Sequence, residues 1–143
     1  TQFTDYKTIT GGTDRNIAGT WNHIAVVRNG NTITMYYDGV SEGTVDVTGT
    51  TLSDPATPLG IGGGGDWTDT GNGGAGDAVD GWIDEFRMSN IARYTADFTP
   101  TTSAFTSDAN TVLLVHCDGT DASTTFTDDN AAATTNNFLL MGV

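Results

Sequence analysis

Two turn signals, Asn29-Gly30 and Asp38-Gly39, constrain this chain more than anything else in it. Asn-Gly and Asp-Gly tolerate the left-handed backbone that two-residue hairpin loops demand. The residues around them are β-formers: Ile24-Ala25-Val26-Val27 before the first turn, Ile33-Thr34-Met35-Tyr36-Tyr37 between the two, and Val40, Val45 and Val47 after the second. Residues 21–47 are therefore expected to form three antiparallel strands.

With Asn29-Gly30 as the first loop, Arg28 faces Asn31, Val26 faces Ile33 and Ile24 faces Met35. Those residues, extended by Tyr37, form an apolar face expected to be the core. Trp21, His23, Ala25 and Val27 share the opposite face with Thr32, Thr34 and Tyr36. A tight Asp38-Gly39 turn puts Glu42 opposite Met35 and points Val45 and Val47 outward. A bulge at Glu42-Gly43 is expected to restore the phase and bury both valines.

Further along, residues 48–58 are rich in turns, and Leu59-Gly60-Ile61 reads as a short strand. Eight Gly and four Asp among residues 62–80 predict a long surface loop. Residues 81–89, with Trp82, Ile83, Phe86 and Met88, read as another strand, followed by a helical turn at residues 90–94. The apolar run Val112-Leu113-Leu114-Val115-His116-Cys117 predicts a strand buried on both faces. Phe138-Leu139-Leu140-Met141 ends the chain with an apolar segment that needs a docking place, on this chain or on a neighbour.

The 143 residues suit one domain of ordinary size. A net charge of −13 repels phosphate backbones and anionic lipid, so nucleic-acid binding is not expected. No apolar run approaches the ~20 residues of a membrane span, so no membrane insertion is expected either. No basic and apolar leader opens the sequence, so a signal peptide is expected to be absent or removed. The single cysteine, Cys117, rules out an intrachain disulfide and is expected to be a small buried thiol.

Residues 21–39, running Trp21-Asn-His23-Ile-Ala-Val-Val-Arg28 through Tyr36-Tyr37-Asp38-Gly39, resemble the central hairpin of laminin-G-like, concanavalin A-like jelly-roll domains. Gly81-Trp-Ile-Asp84-Glu85-Phe-Arg87, with Arg93-Tyr94 after it, resembles their closing strand. Phe98-Thr-Pro100 and Phe105-Thr-Ser-Asp108 are similar to the tail that follows. Residues 111–129 resemble the opening strand with which such domains begin a further repeat. The resemblance implies an all-β, antiparallel sandwich over residues 1–105. Residues 106–143 would then be the start of another repeat or an inter-subunit arm. Family members carry several strands before the Trp-x-His hairpin, where this sequence has residues 1–18. A fragment, a circularly shifted unit, or a sandwich completed by a neighbouring chain is the expectation. The variant is familiar from tailed-phage structural proteins and bacterial surface proteins. This implies a non-catalytic virion module (capsid decoration, tail or fibre) whose partners are other subunits of the assembly. The alternative is a lectin-like adhesion module, on a virion or the bacterial cell surface, that binds host or surface glycans.

Each kind of chemistry has its candidates. Aromatic rings stack on sugars, so Trp67 in the Gly-rich loop, with Trp21, His23 and Tyr36, are candidate carbohydrate or partner contacts. Asp66, Asp69, Asp77 and Asp80 are the candidate Ca²⁺ ligands, although EF-hand spacing is absent and a solvated loop is the plainer expectation. No other cofactor is expected. Gly60, Gly62 and Gly65 match G-x-G-x-x-G in form, but no helix follows and carboxylates surround them, so phosphate binding is rejected. Glycoside hydrolysis needs two carboxyl groups about 5–9.5 Å apart. Glu42 and Glu85 are the only glutamates and lie far apart in sequence, while Asp84 and Glu85 are adjacent and point to opposite faces. No catalytic residue, and no enzyme, is expected. Asp84, Arg87 and Arg93 are given structural roles, with an Asp84–Arg87 pair locking the closing strand to the turn at Arg93-Tyr94. His23 and His116 have no partner at metal-ligand spacing.

Overall fold

The computed structural model describes residues 8–9, 19–50, 61–62, 79 and 81–130. These residues form two antiparallel sheets and no helix. The first sheet is the meander β1 (Ile24–Asn29), β2 (Thr32–Tyr37) and β3 (Val40–Asp46), in that spatial order. The second pairs β4 (Phe86–Ser89) with β5 (Thr111–Val115).

The first hairpin turns one residue later than expected. Asn29 pairs with Thr32, so the loop is Gly30-Asn31, and Val26 faces Met35 instead of Ile33. Gly30 takes a positive φ of 60°, and a glycine leading a two-residue loop is what a type II′ turn requires. The correction moves each pairing by two residues, which leaves every side chain on its expected face. The second turn is as read: Tyr37 pairs with Val40, and Asp38 and Gly39 both have positive φ, at 49° and 81°. Tyr36 pairs with Ser41 and Met35 with Gly43, so Glu42 is the extra residue of the expected bulge. Of the two valines expected to be buried by it, Val47 is buried, whereas Val45 is half-buried opposite Ile33.

The core face is inverted relative to expectation. Val27 and Tyr36 are buried, whereas Ile24 is 58% and Val26 68% exposed. The cause is the segment after β4, which lays Tyr94, Phe98 and Phe105 against the side bearing His23 and Tyr36. Among the described residues no second sheet covers the Ile24 side.

β5 is buried nearly throughout, with Leu113, Leu114 and Val115 in the core and only Val112 open to solvent. The expected strand over residues 81–89 is shorter than read, because β4 begins at Phe86. Trp82 and Ile83 precede it and are exposed. Glu85 explains the break: its φ of 53° is left-handed and cannot continue a strand. Residues 90–91 form a bend and residues 92–94 are irregular, in place of the expected helical turn.

Two groups of contacts hold the connection between β4 and β5 in place. The Arg93 guanidinium forms a two-pronged ion pair with Asp108, at 2.9 and 2.7 Å. The Asn90 N–H donates to the Asn110 carbonyl at 3.0 Å, closing the base of the loop.

Candidate functional site

Three features of the described residues have chemical character: an aromatic cluster, an ion pair beside a cleft, and an open apolar face.

The aromatic cluster lies between the meander and the segment after β4. His23 meets Tyr94, Phe98 and Phe105 edge-on, and Tyr94 stacks on Phe98 with centroids 3.6 Å apart. Tyr36 packs edge-on against the same Tyr94 and Phe98 rings. The Arg87 guanidinium lies 4.0 Å over the Phe105 ring and donates to the Tyr94 hydroxyl. Local bonds explain why His23 is fixed here. Its N–H donates to the Asp38 carboxylate at 2.7 Å, and its carbonyl accepts the Asp38 N–H at 2.8 Å. Burial pushes the His23 imidazole below its ordinary pKa of 6.5; Arg87 pushes the same way and Asp38 opposes. The ring Nδ1 is buried without a hydrogen-bond partner.

The ion pair joins Glu85 to His116. One carboxylate oxygen of Glu85 accepts the Phe105 N–H at 2.7 Å, and the other lies 2.8 Å from His116 Nδ1. Burial pushes the Glu85 carboxyl up, but the Phe105 N–H, His116 and Arg87 together hold it below its ordinary value. The His116 imidazole is raised, chiefly by its bond to Glu85 and against burial, with the fields of Glu85, Asp129 and Asp118 adding. Beside it lies a cleft of about 350 Å³ whose walls include His116, Cys117, Asp118, Phe126 and Asp129. Burial pushes the Cys117 thiol up, and Asp84, Asp118 and Glu85 add to the shift. A thiol held protonated is a poor nucleophile. The cleft thus offers carboxylates, hydroxyls and the His116 imidazole to a polar ligand.

The open face is built from rows across the meander. Ile24, Tyr37 and Val40 form one row, and Val26 and Met35 the next. Arg28, Ile33 and Val45 complete it.

The structure separates the candidates named from the sequence. Trp67 and the expected Ca²⁺ ligands Asp66, Asp69, Asp77 and Asp80 lie outside the described residues. Among the described residues no three His, Cys, Asp or Glu side chains are grouped to hold a metal ion. Trp21 is 70% exposed, whereas Tyr36 is buried and the half-buried His23 packs edge-on in the same aromatic cluster. The expected Asp84–Arg87 pair does not form. The Asp84 carboxylate instead accepts the Glu85 N–H at 2.9 Å, steadying the left-handed residue. Arg87 and Arg93 do tie the closing strand down, through Tyr94, Phe105 and Asp108.

Two features escaped the sequence. Glu85 and His116 are 31 residues apart, and no spacing rule links them. Trp82 is 86% exposed, which no alternation of a regular strand reveals because the strand starts after it.

A model of the concanavalin A-like lectin/glucanases superfamily, of the laminin-G type, matches residues 1–97. No curated protein and no solved structure matches the chain.

Proposed function

The chain belongs to the concanavalin A-like lectin/glucanase superfamily, and from that premise we propose that it is a non-catalytic structural module of a particle surface. The particle is a virion, the module a capsid-decoration or tail and fibre protein, and its partners are other subunits of the same assembly. One observation carries this reading: the open face of the meander, where Ile24 is 58% and Val26 68% exposed on β1 and Val40 52% exposed on β3, joined across β2 by the half-buried Met35 and Tyr37. A contiguous apolar patch on a chain of net charge −13 is a surface made to be covered. The phage-type character of the hairpin and closing strand supports the virion setting.

The carboxylates support the absence of catalysis. Glu42 lies in the meander, while Glu85 precedes the other sheet and is held by Phe105 and His116. A hydrolase needs a facing pair free to exchange protons.

Sedimentation of the wild type and of Val26→Asp tests the reading. The wild type associates as concentration rises, and V26D, with an unchanged far-UV spectrum, stays monomeric. A wild type that is monomeric across the range overturns it.

A second reading, a glycan-binding adhesion module, is favoured by the lectin kinship and by the exposed rings of Trp21 and Trp82. It predicts glycan-array binding that falls on Trp67→Ala or Trp82→Ala.

A further inference from the structure

The two turns of the meander carry related dipeptides, Asn29-Gly30 and Asp38-Gly39, in opposite surroundings. At the first, Arg28, Asn29, Gly30 and Asn31 are all exposed. Asn29 is the last residue of β1 and pairs with Thr32 at the open end of the ladder. Among the described residues, neither the Asn29 side-chain amide nor the Gly30 N–H has a hydrogen-bond partner. A methyl group on Gly30 would meet nothing within 4 Å. The Arg28 guanidinium donates to the Gly30 carbonyl at 3.0 Å, which holds a positive charge beside the Gly30 nitrogen.

The second turn is closed. The Asp38 carboxylate accepts the His23 N–H at 2.7 Å, and the Asp38 N–H donates to the His23 carbonyl at 2.8 Å. Gly39 is buried, its carbonyl accepts the Phe98 N–H at 2.9 Å, and the Phe98 backbone fills the space where a methyl group would stand.

We propose that Asn29-Gly30 is a self-modification site, open in the folded chain, at which the asparagine converts to aspartate and isoaspartate, and that the second turn is closed to the same chemistry. The Gly30 nitrogen gives its proton to hydroxide and attacks Asn29 Cγ. The N–Cγ bond forms, the Cγ–Nδ2 bond breaks, and the side-chain nitrogen takes a proton from water and leaves as ammonia. One water then opens the five-membered succinimide. Opening at Cγ gives aspartate, and opening at the main-chain carbonyl gives isoaspartate; nothing is oxidised or reduced. Glycine leaves the attacking nitrogen unshielded, and the Arg28 charge favours its anionic form. Ring closure takes the Asn29 backbone out of strand geometry, which opens only the terminal pair with Thr32. At position 38 it would break both bonds to His23 and move Gly39 from beneath Phe98. Either product adds one negative charge, and isoaspartate also adds a methylene to the backbone of β1. The site is independent of what covers the Ile24 face.

Peptide mapping of the folded wild type held in mildly alkaline buffer tests this. A second Asn-Gly, Asn72-Gly73, lies outside the described residues, so the peptide carrying Asn29 is read and not the mass of the whole chain. That peptide is expected to lose its amide within about threefold of the rate in the urea-unfolded chain. It gives two products of equal mass, of which one accepts a methyl group from an isoaspartyl methyltransferase. In Asp38→Asn, which puts the same dipeptide at the second turn, position 38 is expected to convert at least about tenfold more slowly than Asn29. An Asn29 amide that survives in the folded chain but is lost in urea overturns the proposal. So does a product that is aspartate alone, or equal conversion at the two turns of a folded D38N. Should D38N fail to fold, the wild-type comparison with urea decides by itself.

Discussion

At the residue scale, Gly39 and His116 make opposite points about local and long-range causes. Gly39 sits at φ 81°, and a methyl group there would overlap the carbonyl oxygen of Phe98. Gly49 has a similar φ of 75° but nothing within reach of a methyl group. Gly49→Ala is expected to cost about 1 kcal/mol, the left-handed penalty alone. Gly39→Ala is expected to cost roughly 3 kcal/mol, because overpacking adds to that penalty and the Phe98 bond is displaced. Urea unfolding of the two variants checks the difference.

The two histidines carry opposite pH signs. His116 is raised in the folded state, so its contribution is complete below its ordinary value of 6.5 and is lost as pH rises through the folded value. His23 is lowered, so its contribution is present above 6.5 and is lost as pH falls through the folded value. The stability gap between wild type and His116→Gln is therefore larger at about pH 6 than at about pH 9. His23→Phe keeps the ring packing and removes the titration, so it loses less stability than the wild type between about pH 7 and pH 5. Denaturant midpoints across pH measure both, and the absence of either trend refutes the assigned cause.

At the scale of elements, the bulge in β3 makes a sharp prediction. Ser41 pairs with Tyr36 and Gly43 with Met35, so Glu42 stands outside the ladder. Removing Glu42 leaves the pairing on both sides in phase and Val47 in the core. Removing Thr44 together with Glu42 leaves no bulge to absorb the loss and shifts Val45 and Val47 to the opposite face. Deletion of Glu42 is expected to cost under about 2 kcal/mol, while deletion of both residues is expected to abolish cooperative unfolding. Thermal melts of the two deletion variants decide it. The bulge is legible in the sequence because a tight Asp38-Gly39 turn and Val45 and Val47 on the same face as Ile33 cannot both hold without it. The first turn was misread by one residue because Asn29-Gly30 and Gly30-Asn31 are both good loops; only the tertiary setting selects between them.

At the scale of the whole molecule, charge and apolar surface oppose each other. A net charge of −13 keeps copies apart at low ionic strength, while the open Ile24 face draws them together. Raising salt from about 0.02 to 0.5 M shortens the reach of the repulsion from roughly 20 Å to under 5 Å. Self-association is therefore expected to strengthen with salt, the reverse of an association driven by ion pairs, and light scattering across the salt series reads the sign.

Strand order, the hairpin meander, the bulge and the family were all written in local pattern: turn dipeptides, β-branched runs and the Trp-x-His and Asp-Glu-x-Arg motifs act over a few residues. Which face of the meander is packed was not. Alternation makes both faces available, and the choice fell to Tyr94, Phe98 and Phe105, which arrive from more than fifty residues along the chain. The Glu85–His116 pair and the bond from the Leu114 N–H to the Asp128 carboxylate belong to the same class. Each joins groups whose spacing carries no signal, because only the folded backbone brings them within hydrogen-bonding distance.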